Sequence, residues 1–195
     1  LLSGDHSACL RHFKAKAQPF RTERLALSMA RVRFDPVALN LDQPITRSFF
    51  FGSVNGTGYG VGGLVGGTTT GGAGAISDSY ANVDVLGTVW TGGLVGNSQD
   101  QTVTRSYATG TVSAYHNSGY VGGLIGYTSG TVAVTNSFYF GIVRVETSSA
   151  NQSGAFVGKA ISSGESNSYF TSYVNHSSGA ALAQAHATAK TACIF

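Results

Sequence analysis

Apolar positions along the chain recur in blocks that keep a common phase. A Ser followed by an aromatic stands at Ser48-Phe49, Ser79-Tyr80, Ser106-Tyr107, Ser137-Phe138 and Ser168-Tyr169, separated by 31, 27, 31 and 31 residues. Six residues after each of these serines comes a valine: Val54, Val85, Val112, Val143 and Val174. Three residues before them come Ile45, Ile76, Val103 and Val134, and then a break at Glu165. A second motif runs in step, as Gly62-Gly63-Leu64-Val65-Gly66, Gly92-Gly93-Leu94-Val95-Gly96, Gly122-Gly123-Leu124-Ile125-Gly126 and the looser Gly154-Ala155-Phe156-Val157-Gly158. The unit is about 31 residues long and occurs nearly five times between residues 45 and 175. A fixed period of this size signals a solenoid, a propeller or an array.

Each unit offers an aromatic and β-branched stretch, then a short apolar run bracketed by glycines, with no ten-residue amphipathic segment between them. The pattern predicts an all-β chain, a parallel β-helix or β-solenoid of about five coils with short non-repeat caps. Equivalent residues then lie above one another at ~4.8 Å. A WD-type blade needs about four strands and usually more residues per unit, so a propeller ranks below. Two ladders are expected inside: Phe49/Tyr80/Tyr107/Phe138/Tyr169 and Val54/Val85/Val112/Val143/Val174. Tyr107, as a core rung, would cost about 3 to 5 kcal/mol to truncate to Ala. Aromatic and valine are an odd five residues apart, so a regular strand points them to opposite faces. A bulge at Gly52, Gly110 or Gly141 is expected to turn both inward. Leu and Val of the glycine motif are adjacent, which leaves open which of them is interior. Trp90 and Tyr120 follow that choice: interior with Leu94 and Leu124 in a regular strand, exposed if the Val or Ile faces in.

Composition supports strands and tight turns. Charged residues make up only 11% of the chain, Gly numbers 27 and hydrophobics are 42%, too apolar for a disordered chain and too Gly-rich for a helical one. The net charge of +3 is uneven, because residues 1 to 47 hold eight of the twelve Lys and Arg against four acids. The repeats therefore carry no nucleic-acid footprint. Residues 1–44 read as a basic N-terminal cap over the first coil, with a basic amphipathic anchor as the alternative. Residues 45–175 are the solenoid and 176–195 an Ala-rich tail, in which Ala180 to Lys190 suit a short capping helix. A cap is expected because an open terminal coil offers a sheet edge for aggregation. Cys9 and Cys193 lie outside the repeats and form no CxxC pair. No apolar run approaches the ~18 residues of a membrane span. The start Leu1-Leu2-Ser3-Gly4 lacks the regions of a signal peptide. The chain thus reads as an internal piece whose export signal lies elsewhere.

The search for chemistry yields little that is compact. Gly58-Tyr59-Gly60-Val61-Gly62-Gly63 fits a GxGxxG expression, but leads into the strand-like Leu64-Val65 and belongs to the repeat. HExxH, GxSxG, GxxxxGK[ST] and an EF-hand loop are all missing. His6, His12, His116, His176 and His186 have no partner at ligand spacing, so neither a metal nor a cofactor is expected. Asp78, Asp84 and Asp100 are the acids of the central repeats, and no carboxylate ladder continues from them, against the converging pair that polysaccharide cleavage needs. The position before the repeat serine reads Arg47, Asp78, Arg105, Asn136, Asn167, which predicts a surface ion-pair ladder worth under ~1 kcal/mol per pair. Thr68-Thr69-Thr70 is confined to one turn, and Thr102, Thr104 and Thr109 do not repeat in phase, against an ice-binding array. Tyr59, Trp90 and Tyr120 are the candidate ligand-binding residues, since aromatic faces give large contact area for little entropy; packing in the core or a groove is the competing role.

The Gly-Gly-Leu-Val-Gly run at residues 92 to 96 and the Ser-Tyr-Ala-Thr-Gly-Thr-Val run at 106 to 112 resemble the GLUG-motif repeat of bacterial surface proteins. The resemblance covers roughly residues 45 to 175 and weakens in the fourth repeat, where Ala155-Phe156 replaces Gly-Leu. That family's repeats occur in filamentous-haemagglutinin-type adhesins and beside some secreted IgA-directed proteases. The resemblance implies a secreted or cell-surface, non-enzymatic adhesive segment of a longer chain. Its implied partners are neighbouring repeats and a host-surface or matrix glycan or protein. The alternative is a fragment of a carbohydrate-active β-helix, a polysaccharide lyase or hydrolase.

Overall fold

The computed structural model describes residues 39–40, 44–68, 74–115, 119–145, 153–160, 163–166 and 168–176. The caps expected over most of 1–44 and over 176–195, the latter except for His176, both cysteines, Asn167, Thr69, Thr70 and His6, His12, His116 and His186 lie outside them. Every regular element among the described residues is a strand. After β1 (Leu39–Asn40) come β2 (Ile45–Thr46), β3 (Phe49–Asn55), β4 (Gly60–Gly62) and β5 (Val65–Thr68). The order repeats as β6 (Ala75–Ser77), β7 (Tyr80–Gly87), β8 (Trp90–Gly92) and β9 (Val95–Gln99), then as β10 (Thr102–Thr104), β11 (Tyr107–Ala114), β12 (Tyr120–Gly122) and β13 (Ile125–Ser129). A further round is β14 (Val132–Thr135), β15 (Phe138–Val145), β16 (Ser153–Gly154) and β17 (Val157–Ala160), followed by β18 (Ser163–Ser166) and β19 (Tyr169–His176).

Strands of like position pair in parallel and build four sheets. The entry sheet is β18-β14-β10-β6-β2, the long sheet β19-β15-β11-β7-β3, the short sheet β16-β12-β8-β4 and the return sheet β1-β5-β9-β13-β17. The chain is thus a parallel β-solenoid. Four coils among the described residues supply a strand to every sheet, with β1 ahead of them and β18 and β19 behind, slightly short of the expected five. The 27-residue spacing is accommodated in two connections: Thr88 and Val89 alone join β7 to β8, whereas residues 115–119 join β11 to β12, and one further residue is saved between β9 and β10, where register passes from Gln99↔Ser129 to Thr102↔Ala133.

The valine ladder is interior as expected at Val54, Val85, Val112 and Val143, the last three at most 1% exposed; the side chains of Tyr169 and Val174 lie outside the description. Ile76, Val103 and Val134 on the entry sheet are interior too. The aromatic ladder is not. Phe49 is 37% exposed, and Tyr80, Tyr107 and Phe138 are half-buried on the outer face of the long sheet. The residues after them face inward, as Ala81, Ala108 and Tyr139 do. The expected bulge fails for a countable reason. Gly110 does have φ 108°, yet pairing passes from Thr109↔Asn82 to Val112↔Val85 with equal residue numbers on both strands. No residue is added, so parity holds and aromatic and valine stay on opposite faces.

The glycine motif turns a corner in which both apolar residues are interior. The amides of Leu94 and Val95 both donate to the Leu124 carbonyl, at 2.9 and 3.1 Å, so the chain bends between them and the alternation of a strand does not apply. Leu94, Val95, Leu124 and Ile125 are all fully buried. The glycines are required because backbone meets backbone there. A Cβ on Gly92 would lie 2.0 Å from the Val95 carbonyl oxygen, and one on Gly96 would lie 2.3 Å from the Val61 nitrogen.

A different corner, between entry and long sheets, explains the serine that marks each repeat. The residue before it is left-handed, with φ of 50° at Arg47, 52° at Asp78, 46° at Arg105 and 50° at Asn136. Asn and Asp tolerate this conformation best among residues with a Cβ. The serines then run up the axis as a hydrogen-bonded file. Ser48, Ser79, Ser106 and Ser137 each donate their amide to the Oγ of the next serine, at 3.1, 3.3, 3.2 and 3.4 Å. Their own hydroxyls donate to the carbonyls of Thr46, Ser77, Thr104 and Thr135. A buried hydroxyl is thereby satisfied in both directions.

Candidate functional site

Tyr59, Trp90 and Tyr120 come together on the outer surface where the short and return sheets meet. Trp90 and Tyr120 are register partners in β8 and β12, and Thr91↔Val121 beside them are the buried pair. Their outward direction follows from the corner at Gly93 and Gly123, which breaks the strand before the interior leucines. Tyr59 stands just before β4 and is 71% exposed; its ring lies 5.5 Å from that of Trp90 at a tilt of 54°.

A fourth ring, Tyr127 of β13, joins them and was not foreseen. Trp90 stacks on it at 4.8 Å and Tyr120 at 5.5 Å. The strip therefore crosses three coils, from Tyr59 through Trp90 and Tyr127 to Tyr120. It ends on Lys159 of β17, the register partner of Tyr127. The ammonium of Lys159 sits 4.6 Å from the centre of the Tyr120 ring and donates to its hydroxyl at 2.9 Å. That hydrogen bond raises the Lys159 pKa above its ordinary value. On the other side Tyr127 is in register with Asn97, which is 8% exposed and whose side-chain Oδ1 has no hydrogen-bond partner. Asn97 thus leaves an unsatisfied acceptor at the foot of the strip.

A second aromatic file lies on the long sheet. Phe49, Tyr80, Tyr107 and Phe138 are separated by 5.3, 4.8 and 4.6 Å with interplanar angles of 9, 2 and 11°. Near-parallel rings at one-coil spacing cover each other's faces, so this file spends its π surface on itself. Burial pushes the Tyr107 phenol up to about 12, helped by the neighbouring Tyr80.

The three acids of the central repeats do not converge. Asp78 lies at the corner between entry and long sheets, with Arg105 Nε 2.6 Å from its Oδ1 and Nη2 2.7 Å from its Oδ2. That pair is the ion-pair rung expected from the sequence, and the guanidinium lowers the Asp78 pKa. Asp84 lies on the outer face of the long sheet and accepts from the Thr111 amide at 2.8 Å. Asp100 follows β9 and accepts from the Thr131 amide at 2.8 Å. Each serves the neighbouring coil. Among the described residues no three His, Cys, Asp or Glu side chains cluster as a metal site. The GxGxxG-like run forms β4 and its corner, with no helix after it. Thr104 does fall in phase with Thr46, Ser77 and Thr135 on the entry sheet, contrary to the expected lack of phase. Thr135 Oγ1 donates to Thr104 Oγ1 at 2.9 Å, so these two hydroxyls pair with each other.

No protein-family model and no curated protein matches the chain. One solved structure is similar in fold, described as "a putative immunoglobulin A1 protease" from Bacteroides ovatus, with a TM-score of 0.54 and 23% identity. The likeness covers 70% of this chain and 45% of that one, so the chain spans less than half of that protein. At this identity the likeness is one of fold.

Proposed function

We propose that the chain is a non-catalytic, adhesive β-solenoid segment of a secreted or cell-surface bacterial protein, and that it binds a host or matrix glycan along the Tyr59–Trp90–Tyr127–Tyr120 strip. The observation that carries this reading is the strip itself: four rings from three coils on one outer edge. Sugars offer apolar C–H faces to aromatic surface, and aromatic side chains lose little entropy on ordering. The Tyr59 ring has the most open face and would take the first sugar. The repeat motifs that resemble GLUG repeats support a surface role.

The separation of Asp78, Asp84 and Asp100, each engaged by a neighbouring coil, favours binding over cleavage. The protease description belongs to the Bacteroides ovatus protein, and a binding role for this chain is compatible with a place beside a catalytic domain. A glycan array with the whole chain tests the proposal, followed by titration of the best ligand into Tyr59→Ala and Trp90→Ala. Binding weakened about tenfold or more by each change, with no release of reducing ends, is expected. Turnover of the ligand, lost in Asp84→Asn, would replace adhesion with catalysis.

A further inference from the structure

The aromatic strip has two unlike ends. Tyr59 is an exposed neutral ring, while the far end carries the ammonium of Lys159 against Tyr120. We infer that this charged end selects the acid group of an anionic glycan, a uronate carboxylate or a sulfate ester; the inference rests on reading the strip as a saccharide platform.

Three observations carry it. The first is that Lys159 keeps its charge to spend. Its hydrogen-bond partner is a neutral phenol, and no carboxylate among the described residues makes an ion pair with it. Arg105, by contrast, is committed to Asp78 through two bonds. An ammonium has three donors, and Tyr120 takes one.

The second is that Lys159 is held in place. The ring of Tyr120 lies 4.6 Å from the ammonium and the hydroxyl 2.9 Å from it, which restrains a side chain that is otherwise rich in rotamers. A ligand acid then meets an ordered cation and less entropy is lost on binding.

The third is the pairing of donors. Because the Tyr120 oxygen accepts from Lys159, its own O–H proton is left to donate outward. An N–H of Lys159 and the O–H of Tyr120 stand side by side and suit two oxygens of one acid group, as charge-assisted bonds do. Tyr127, in register with Lys159 and stacked with Tyr120 and Trp90, places a sugar resting on the strip within one residue of that pair.

The test is calorimetric titration of the whole chain with three oligosaccharides of equal length: a neutral galactan, a galacturonan and a sulfated galactan. Wild type is expected to bind at least one acidic ligand about fivefold more tightly than the neutral one, an advantage that shrinks as salt is raised. Lys159→Met should remove the advantage, weakening acidic ligands more than the neutral one, Lys159→Arg should keep it, and Tyr120→Phe should reduce it. Preference for galacturonan alone identifies a carboxylate site, for the sulfated ligand alone a sulfate site, and for both a site that reads charge. Equal binding of all three, or an acidic preference that survives Lys159→Met, overturns the inference while leaving the strip as a glycan site. Failure of all three to bind overturns both readings.

Discussion

The backbone amide of Ser79 donates to the Oγ of Ser106, 3.3 Å away and one coil on. Ser106 is fully buried, and the same hydroxyl donates to the Thr104 carbonyl. Ser106→Ala should therefore leave a buried amide unpaired and destabilise the fold by about 1 to 3 kcal/mol. Ser113→Ala, on the outer face of the same strand, should change stability by less than about 0.5 kcal/mol. Denaturant midpoints of the two variants would decide; equal midpoints would remove the serine file from the account of stability.

Tyr139 and Tyr107 should respond oppositely to the expectation drawn from the repeat. Tyr139 is 1% exposed, and its hydroxyl lies 2.8 Å from the Gly110 carbonyl oxygen and 3.1 Å from that of Ile142. Its truncation to Ala should cost about 3 to 5 kcal/mol. Tyr107 is an outer, half-buried rung between Tyr80 and Phe138, and Tyr107→Ala should cost about 1 to 2 kcal/mol, since aromatic pairing contributes roughly that much. Thermal unfolding of both variants measures the contrast.

Stability should fall in alkali. The folded state holds the Tyr107 proton up to about pH 12 because burial disfavours the phenolate, whereas an unfolded tyrosine releases it near pH 10. The contribution is therefore complete below about pH 10 and is lost as pH rises toward about 12. Burial also raises Tyr139, so Tyr107→Phe should flatten the decline in part. Phenolate absorbance and melting temperature, followed together through that range, check the sign.

At the acid end the Asp78–Arg105 pair sets a smaller effect. The folded Asp78 pKa is lowered, first by the Arg105 hydrogen bond, so its contribution is present above the ordinary carboxylate value near 4 and is lost as pH falls through the lower folded value. Both side chains are solvent-accessible, at 57% for Arg105 and 30% for Asp78, which limits the pair to under about 1 kcal/mol. Asp78→Asn should remove that acid-dependent step, and about 1 M salt should mask it in the wild type.

The stacking of coils was legible because register is a matter of period alone. Val54, Val85, Val112 and Val143 repeat, and so they pair. Inside and outside were harder to read. Phe49, Tyr80, Tyr107 and Phe138 are large, and size argued for the core, but the odd five-residue offset from the valines was the better guide. The small Ala81 and Ala108 take the interior instead, where space is short. At Leu94 and Val95 alternation itself fails, because two amides share one carbonyl. Of the strip, the three aromatics Tyr59, Trp90 and Tyr120 stood out individually, yet Tyr127 did not, since its counterparts are Asn97 and Lys159. Non-identical residues at one ladder position leave no repeat to notice. Extending the alignment through the 30-residue offset from Asn97 would have placed Tyr127 on the same outer file.

The serine file also bears on how long such a molecule can become. Each coil's inward hydrogen bonds are completed by an identical set in the next, from Ser48 to Ser168, so duplication of one repeat adds a coil without new pairing chemistry. Each added coil advances the axis by ~4.8 Å. The stack can then be lengthened by copying DNA, while the aromatic strip, written in residues that do not repeat, is carried along unchanged.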